Sequence, residues 1–250
     1  MSDAILQAVG LVREFRGFVA VAGVDLAVRR GSVHGLIGPN GAGKTTCFNL
    51  LTGSLAPTRG SIRFAGQDIT RIGPEAVARR GLVRSFQISA VFAHMTAREN
   101  VRIALQRARG ESLDFWRSER VLRPLDAPAR ELLEQVGLQD QAETLAGALP
   151  YGRKRALEIA TTLALDPAMM LLDEPTAGMT QDDVERMTAL IARVRHGRTV
   201  LMVEHNLSVV GGLCDRITVL ARGQVLAEGD YAAIAADPRV RAAYLGEEDG

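Results

Sequence analysis

Eight consecutive residues constrain this chain more than any other feature: Gly38-Pro39-Asn40-Gly41-Ala42-Gly43-Lys44-Thr45. They fit the phosphate-binding pattern G-x-x-x-x-G-K-[ST] at every fixed position. The flanks match what such a loop needs. Val33–Ile37 is a short apolar run suited to a buried parallel strand, and Lys44–Leu51 reads as the opening of a helix. Strand, glycine loop and helix in that order predict an α/β fold. Gly38, Gly41 and Gly43 let the backbone wrap a phosphate closely, while amides at the helix start point at it with the positive end of the dipole. Thr45 offers a hydroxyl for magnesium.

Basic residues are distributed unevenly: of 30 Lys and Arg, only Lys44 and Lys154 are lysines. A compact charge on a flexible stem reaches between phosphates more easily than a planar guanidinium does, so a lysine at position 44 suits the loop. Against 29 acidic residues the net charge is +1, and no overall basic field exists to hold nucleic acid or an anionic membrane. Aromatic residues make up 4%, too few for an obvious base-stacking platform. Cys47 and Cys214 lie far apart without metal-type spacing and read as reduced thiols in a cytosolic protein. The acidic amino terminus lacks the features of a secretory signal, and no apolar run approaches the roughly 18 residues of a membrane span.

A second run, Met169-Met170-Leu171-Leu172-Asp173-Glu174-Pro175, is a strand-length apolar stretch that ends in two carboxylates. At the carboxyl end of a parallel strand, Asp173 is expected to face the same crevice as the glycine loop. It suits a magnesium-bound water. Glu174, one residue on, suits the orientation and deprotonation of an attacking water.

With these motifs on view, the chain resembles an ATP-binding-cassette ATPase subunit over nearly all of its 250 residues. Gln87, in Arg84-Ser85-Phe86-Gln87, stands at the family's Q-loop, which implies contact with magnesium and the attacking water. Leu149-Pro150-Tyr151-Gly152-Arg153 stands where the family's signature, usually Leu-Ser-Gly-Gly-Gln, opens a helix, and residues 156–165 are apolar enough to be that helix. His205 follows the strand-like Thr199–Val203, where the family's switch histidine meets the γ-phosphate. Phe15 lies where an aromatic ring stacks on adenine, with Phe18 close enough to compete. The implied ligands are ATP and Mg2+, with Pro39, Asn40, Ala42 and Thr46 completing the nucleotide contacts of the loop.

Two departures stand out. Pro150 replaces the signature serine and removes a hydroxyl, while Gly152 keeps a close backbone approach. Ala177-Gly178-Met179-Thr180 replaces the usual Ser-Ala-Leu-Asp, which bears on communication between two ATP sites. The combination of RSFQ, LPYG, DEPTAGM, VEHN and Ala242-Ala243-Tyr244-Leu245-Gly246 is most similar to the branched-chain amino acid importer group. Relatives of that group carry urea or other small polar or acidic solutes.

The resemblance implies a RecA-like core built from residues 1–86 and 155–250, a small antiparallel β layer, and an inserted helical subdomain at 88–152. Apolar spacing agrees: Leu132, Leu133 and Val136 share a face, as do Val184, Met187, Leu190, Ile191 and Val194. A single glycine loop and no internal repeat mean one set of ATP-binding motifs per chain. The implied partners are membrane permease subunits, a second ATPase subunit head to tail, and indirectly a periplasmic solute-binding protein. The implied location is peripheral, on the cytoplasmic face of the inner membrane. Two other classes fit less well. A nucleic-acid-acting cassette protein usually has two cassettes, a long coiled coil or zinc cysteines, none of them in this sequence. A small-molecule kinase leaves the signature-like segment unexplained.

Overall fold

The computed structural model describes residues 3–85, 91–108 and 123–245. Two sheets organise them. The first is antiparallel, in the order β2-β1-β4-β5, from β1 (Ala4–Phe15), β2 (Phe18–Arg29), β4 (Arg59–Phe64) and β5 (Gln67–Asp68). Arg16 and Gly17 both take positive φ between β1 and β2, the two-residue hairpin geometry that matches strand twist.

The second sheet runs β10-β9-β3-β8-β7-β6, with β3 (Val33–Ile37), β6 (Leu82–Arg84), β7 (Met169–Asp173), β8 (Thr199–Val203), β9 (Arg216–Ala221) and β10 (Gln224–Gly229). Neighbours from β9 through β6 are parallel, and β10 closes one edge antiparallel. The three central strands β3, β8 and β7 are almost wholly buried, as continuous apolar runs predict for strands covered on both faces. Alternate residues serve opposite cores. Leu36, Leu171, Leu201 and Val203 pack with Cys47, Phe48, Leu50 and Leu51 of α1 (Lys44–Leu51) and with the antiparallel layer. Val33, Met170, Leu172, Val200 and Met202 pack with the helices on the other side.

Those helices include α3 (Ala97–Ala108), α4 (Asp126–Gln135), α5 (Tyr151–Leu163) and α6 (Gln181–Val194), after the short α2 (Pro74–Arg79). The expected stripe on α6 is buried throughout, whereas on α4 Leu133 and the adjoining Val136 are buried and Leu132 only partly so. The helix expected to open at the Leu149–Arg153 segment does so, starting at Tyr151 and ending at Leu163, two residues short of the end of the apolar run 156–165. Pro150, with φ −58°, is its N-cap and has no N–H to leave unpaired, so the helix begins at once behind it. α5 therefore carries the chain unbroken across residues 152–155, where the sequence reading parts insertion from core. Among the described residues three further short α-helices follow β8: α7 (Leu207–Leu213), α8 (Tyr231–Ala236) and α9 (Pro238–Leu245). Among the described residues no helix is long and apolar enough to cross a membrane.

Candidate nucleotide site

Because β6, β7, β8 and β3 are neighbours and parallel, their carboxyl ends lie along one edge of the sheet. Arg84 ends β6, Asp173 ends β7, Glu204 and His205 follow β8, and the glycine loop follows β3. Sequence positions far apart thus meet at the place where open α/β sheets gather ligands.

The glycine loop is shaped by its own protein as much as by any ligand. A side chain at Gly38 would place its Cβ 2.1 Å from the Leu220 carbonyl oxygen, and one at Gly43 would come within 2.5 Å of the Ala20 carbonyl oxygen. Both have positive φ, as does Gly41. The β9–β10 turn fastens the loop: Gly223 N donates to the Ala42 carbonyl at 3.0 Å, and Ala22 N of β2 donates to the Gly223 carbonyl at 2.8 Å. Lys44, 6% exposed, folds back so that Nζ donates to the carbonyls of Gly38 (2.6 Å) and Pro39 (2.8 Å). Its ammonium is thereby held inside the curl of the loop. Thr45 is exposed at the first turn of α1, and Pro39, Asn40 and Thr46 also reach the surface in part.

Glu174 departs from the strand with φ +46°, a left-handed conformation that costs a non-glycine residue about 1–3 kcal/mol. Its N–H still donates to the Val203 carbonyl at 2.9 Å, so the ladder between β7 and β8 extends one step beyond Asp173. The turn lifts its side chain toward β8, where Oε1 lies 2.9 Å from His205 Nε2. Both side chains are about two-fifths exposed (41% and 42%). Asp173 is less open and pairs with Arg84, whose other terminal nitrogen bonds Asn49 of α1.

Hard oxygen donors, the Asp173 carboxylate and the Thr45 hydroxyl, beside a buried ammonium and a glycine cradle suit a magnesium-bound triphosphate. Among the described residues no three His, Cys, Asp or Glu side chains cluster to hold a metal by themselves.

The remaining expected residues are spread more widely. Leu149 is buried and Pro150 exposed, while Tyr151, Gly152 and Arg153 open α5 half-buried. Tyr151 Oη donates to the Ala177 carbonyl at 3.0 Å, which ties the start of α5 to the segment after Glu174. Thr180, in the altered Ala177-Gly178-Met179-Thr180 segment, caps α6 by accepting from Asp183 N. Phe15 pairs with Phe18 across the hairpin and carries the Arg13 guanidinium 4.5 Å over its ring, whereas Phe18 is the more exposed of the two. Gln87 lies outside the described residues.

Three features escaped sequence reasoning: Arg84 as the partner of Asp173, a buried ion pair between Arg155 and Glu158 at 3.0 Å, and the buried carboxylate of Glu204. Burial raises the pKa of Glu158, against the pull of Arg155. Glu204 had a usable signal, since it directly follows the apolar run Val200–Val203 of β8, much as Glu174 follows that of β7 one residue later. Arg155 and Glu158 had one as well, an i,i+3 spacing on a single helix, although not for their burial. Arg84 had none, because its pairing with Asp173 depends on packing.

A profile of the ABC transporter family matches residues 21–177, and one described as a branched-chain amino acid ATP-binding cassette transporter matches 224–250. The high-affinity branched-chain amino acid transport ATP-binding protein BraF of Pseudomonas aeruginosa is 42% identical, covering 99% of this chain and 100% of its own. LivG of Escherichia coli K12, with the same description, is 37% identical over 99% and 100% of the two chains. A crystal structure of the ADP conformation of an ATP-binding cassette of an ABC transporter superposes with TM-score 0.85 at 30% identity, covering 98% of this chain and 100% of that one.

Proposed function

Because the chain belongs to the ABC transporter family, as a subunit that binds and hydrolyses ATP, we propose that it powers an importer of branched-chain amino acids. The cargo reading is supported by full-length similarity to BraF and LivG and by the carboxyl-terminal match. Urea or another small polar or acidic solute is the alternative cargo. The chain works as a peripheral subunit on the cytoplasmic face of the inner membrane, with permease subunits, a second ATPase subunit and, indirectly, a periplasmic binding protein.

The observation that carries the site reading is the convergence of Lys44, Asp173, Glu174 and His205 on one sheet edge, with Glu174 and His205 in contact. ATP lies over the loop from Gly38 to Thr46, Lys44 neutralises phosphate charge, and Phe15 stacks on the base through the ring face opposite Arg13. Thr45, Asp173 and Gln87 would hold magnesium, which would supply positive charge to the phosphate oxygens. Glu174 accepts a proton from the attacking water at its carboxylate. His205 contacts that carboxylate through Nε2 and would turn to meet the γ-phosphate when ATP is bound.

The second ATPase subunit closes the site. Leu149, Pro150, Tyr151, Gly152 and Arg153 open α5 and serve ATP held by the partner, in a head-to-tail dimer. Residues 88–152 act as the helical insertion on a core of 1–86 and 155–250. Of the apolar residues Ile88, Val91, Phe92 and Met95 that follow Gln87 in the sequence, Phe92 and Met95 are exposed and Val91 packs on the core, whereas Ile88 lies outside the described residues. The exposed pair offers an apolar contact for a permease segment.

Glu174→Gln tests the central assignment. Positioned acid-base groups contribute typically about 10²- to 10⁴-fold, so the variant should bind ATP normally and lose most hydrolysis. Turnover near the wild-type rate would reject it.

A further inference from the structure

We propose that Glu204 is a positioning residue that sets the catalytic Glu174 and His205 at their working distance, an inference that rests on the roles given to those two residues above. Its side chain is 3% exposed and lies between the loops that carry them. Oε1 accepts from the Thr176 N–H at 2.9 Å and from the Thr176 hydroxyl at 2.5 Å. Oε2 accepts from the N–H groups of His205 at 3.0 Å and Asn206 at 3.3 Å. Each oxygen therefore serves one loop.

A buried carboxylate is unfavourable without such partners, and hydrogen bonds to a charged acceptor are among the stronger ones. Four donors converge here, two per oxygen. Thr176 stands two residues past Glu174, and Ala177 N closes the intervening turn on the Glu174 carbonyl at 3.1 Å. Glu174 and His205 themselves are too exposed to be fixed by packing of their side chains. Their separation is set through the backbone: the Glu174 N–H to Val203 carbonyl bond joins the strand ends, and Glu204 grips the loops beyond that bond on both sides.

This role is distinguishable from simple space filling. Glu204→Gln keeps the volume and shape but turns one oxygen into an amino group. Whichever way the amide lies, that group faces backbone N–H donors of one loop. Displacement of reacting groups by about an ångström can cost on the order of 10²-fold, so the isosteric change should act on turnover and leave ATP binding alone.

The test compares Glu204→Gln, Thr176→Val, Thr176→Ser and Glu174→Gln in the purified complex of the full-length chain with its partner subunits, measuring kcat, KM for ATP and binding of a fluorescent ATP analogue. Glu204→Gln is expected to lower kcat by at least about tenfold with KM and analogue affinity within about twofold. Thr176→Val should shift kcat in the same direction, and Thr176→Ser, which restores the hydroxyl, should recover it. A kcat within about twofold of wild type in Glu204→Gln overturns the proposal, as does a parallel loss of kcat and ATP affinity. If Glu204→Gln does not fold, the threonine pair decides: equal rates for Thr176→Val and wild type overturn the proposal, and a valine loss rescued by serine supports it. A wild-type rate in Glu174→Gln would instead overturn the assignment of Glu174 beneath it.

Discussion

Arg84 grips Asp173 at 2.5 Å with one terminal nitrogen and Asn49 at 2.6 Å with the other. Its guanidinium also lies 5.4 Å over the Phe48 ring, so one side chain joins the ends of β6 and β7 to α1. The carboxylate proposed to hold magnesium is thus matched by a cation of the chain itself.

Removing that cation should destabilise the chain unequally. Breaking a buried ion pair costs about 3–5 kcal/mol. Here the side chains are 20% and 10% exposed, and about 2 kcal/mol is a fair expectation for Arg84→Ala. Bound magnesium would place positive charge beside Asp173 and offset part of the loss. Thermal unfolding should therefore show a larger drop in Tm in EDTA than in saturating Mg·ATP. Equal drops in both conditions would contradict the pairing of Asp173 with the metal.

Gly152 gives a test of the dimer that must respect its surroundings. A Cβ there would lie 3.0 Å from Cγ and Oδ1 of Asp183 in the same chain. Gly152→Asp alone would therefore repel Asp183 before it met any nucleotide. Gly152→Asp combined with Asp183→Ala removes that conflict. In a mixed dimer the double variant should abolish hydrolysis at the site whose lysine and glutamate belong to the partner, and spare ATP bound at its own Lys44. Site-resolved photolabelling that finds the reverse pattern would refute the head-to-tail arrangement.

Phe92 is 54% exposed, yet its backbone is pinned. Buried Asn100 accepts from Phe92 N at 2.8 Å and donates to the Phe92 carbonyl at 3.1 Å. An apolar ring held rigidly at the surface fits a contact site better than a loose loop would. Phe92→Asp should leave Tm and ATP binding unchanged while preventing co-purification with permease subunits or uncoupling hydrolysis from uptake. A variant that assembles and transports normally would show that the partner docks elsewhere.

His34 predicts an acid limit to stability. It sits inside β3 with Nε2 2.8 Å from the Thr218 hydroxyl, and burial lowers its pKa from 6.5 to about 4. Between those values the unfolded chain binds the proton more readily than the folded one, so stability falls as pH falls through this window. The loss should reach about 2 kcal/mol by pH 5. His34→Gln, which keeps a polar end for Thr218, should flatten that part of a denaturation series. An unchanged slope would assign the acid sensitivity to other groups.

The sequence alone determined what depends on spacing along the chain. A strand, a glycine loop and a helix at residues 33–51, apolar runs ending in Asp173 and before His205, and the α6 stripe were all readable, because period and local chemistry suffice to define them. The opening of α5 behind Pro150 was readable too, from the resemblance of Leu149–Arg153 to a helix-opening segment. Tertiary structure alone decided the pairings. Arg84 and Asp173 are 89 residues apart, and Glu204 reaches Thr176 across 28. Even the glycines have a reason invisible along the chain: Gly38 and Gly43 are crowded by carbonyls of Leu220 and Ala20, which belong to other strands. Close packing brings such groups together from remote positions, and a one-dimensional pattern holds no record of which strand edges will be neighbours.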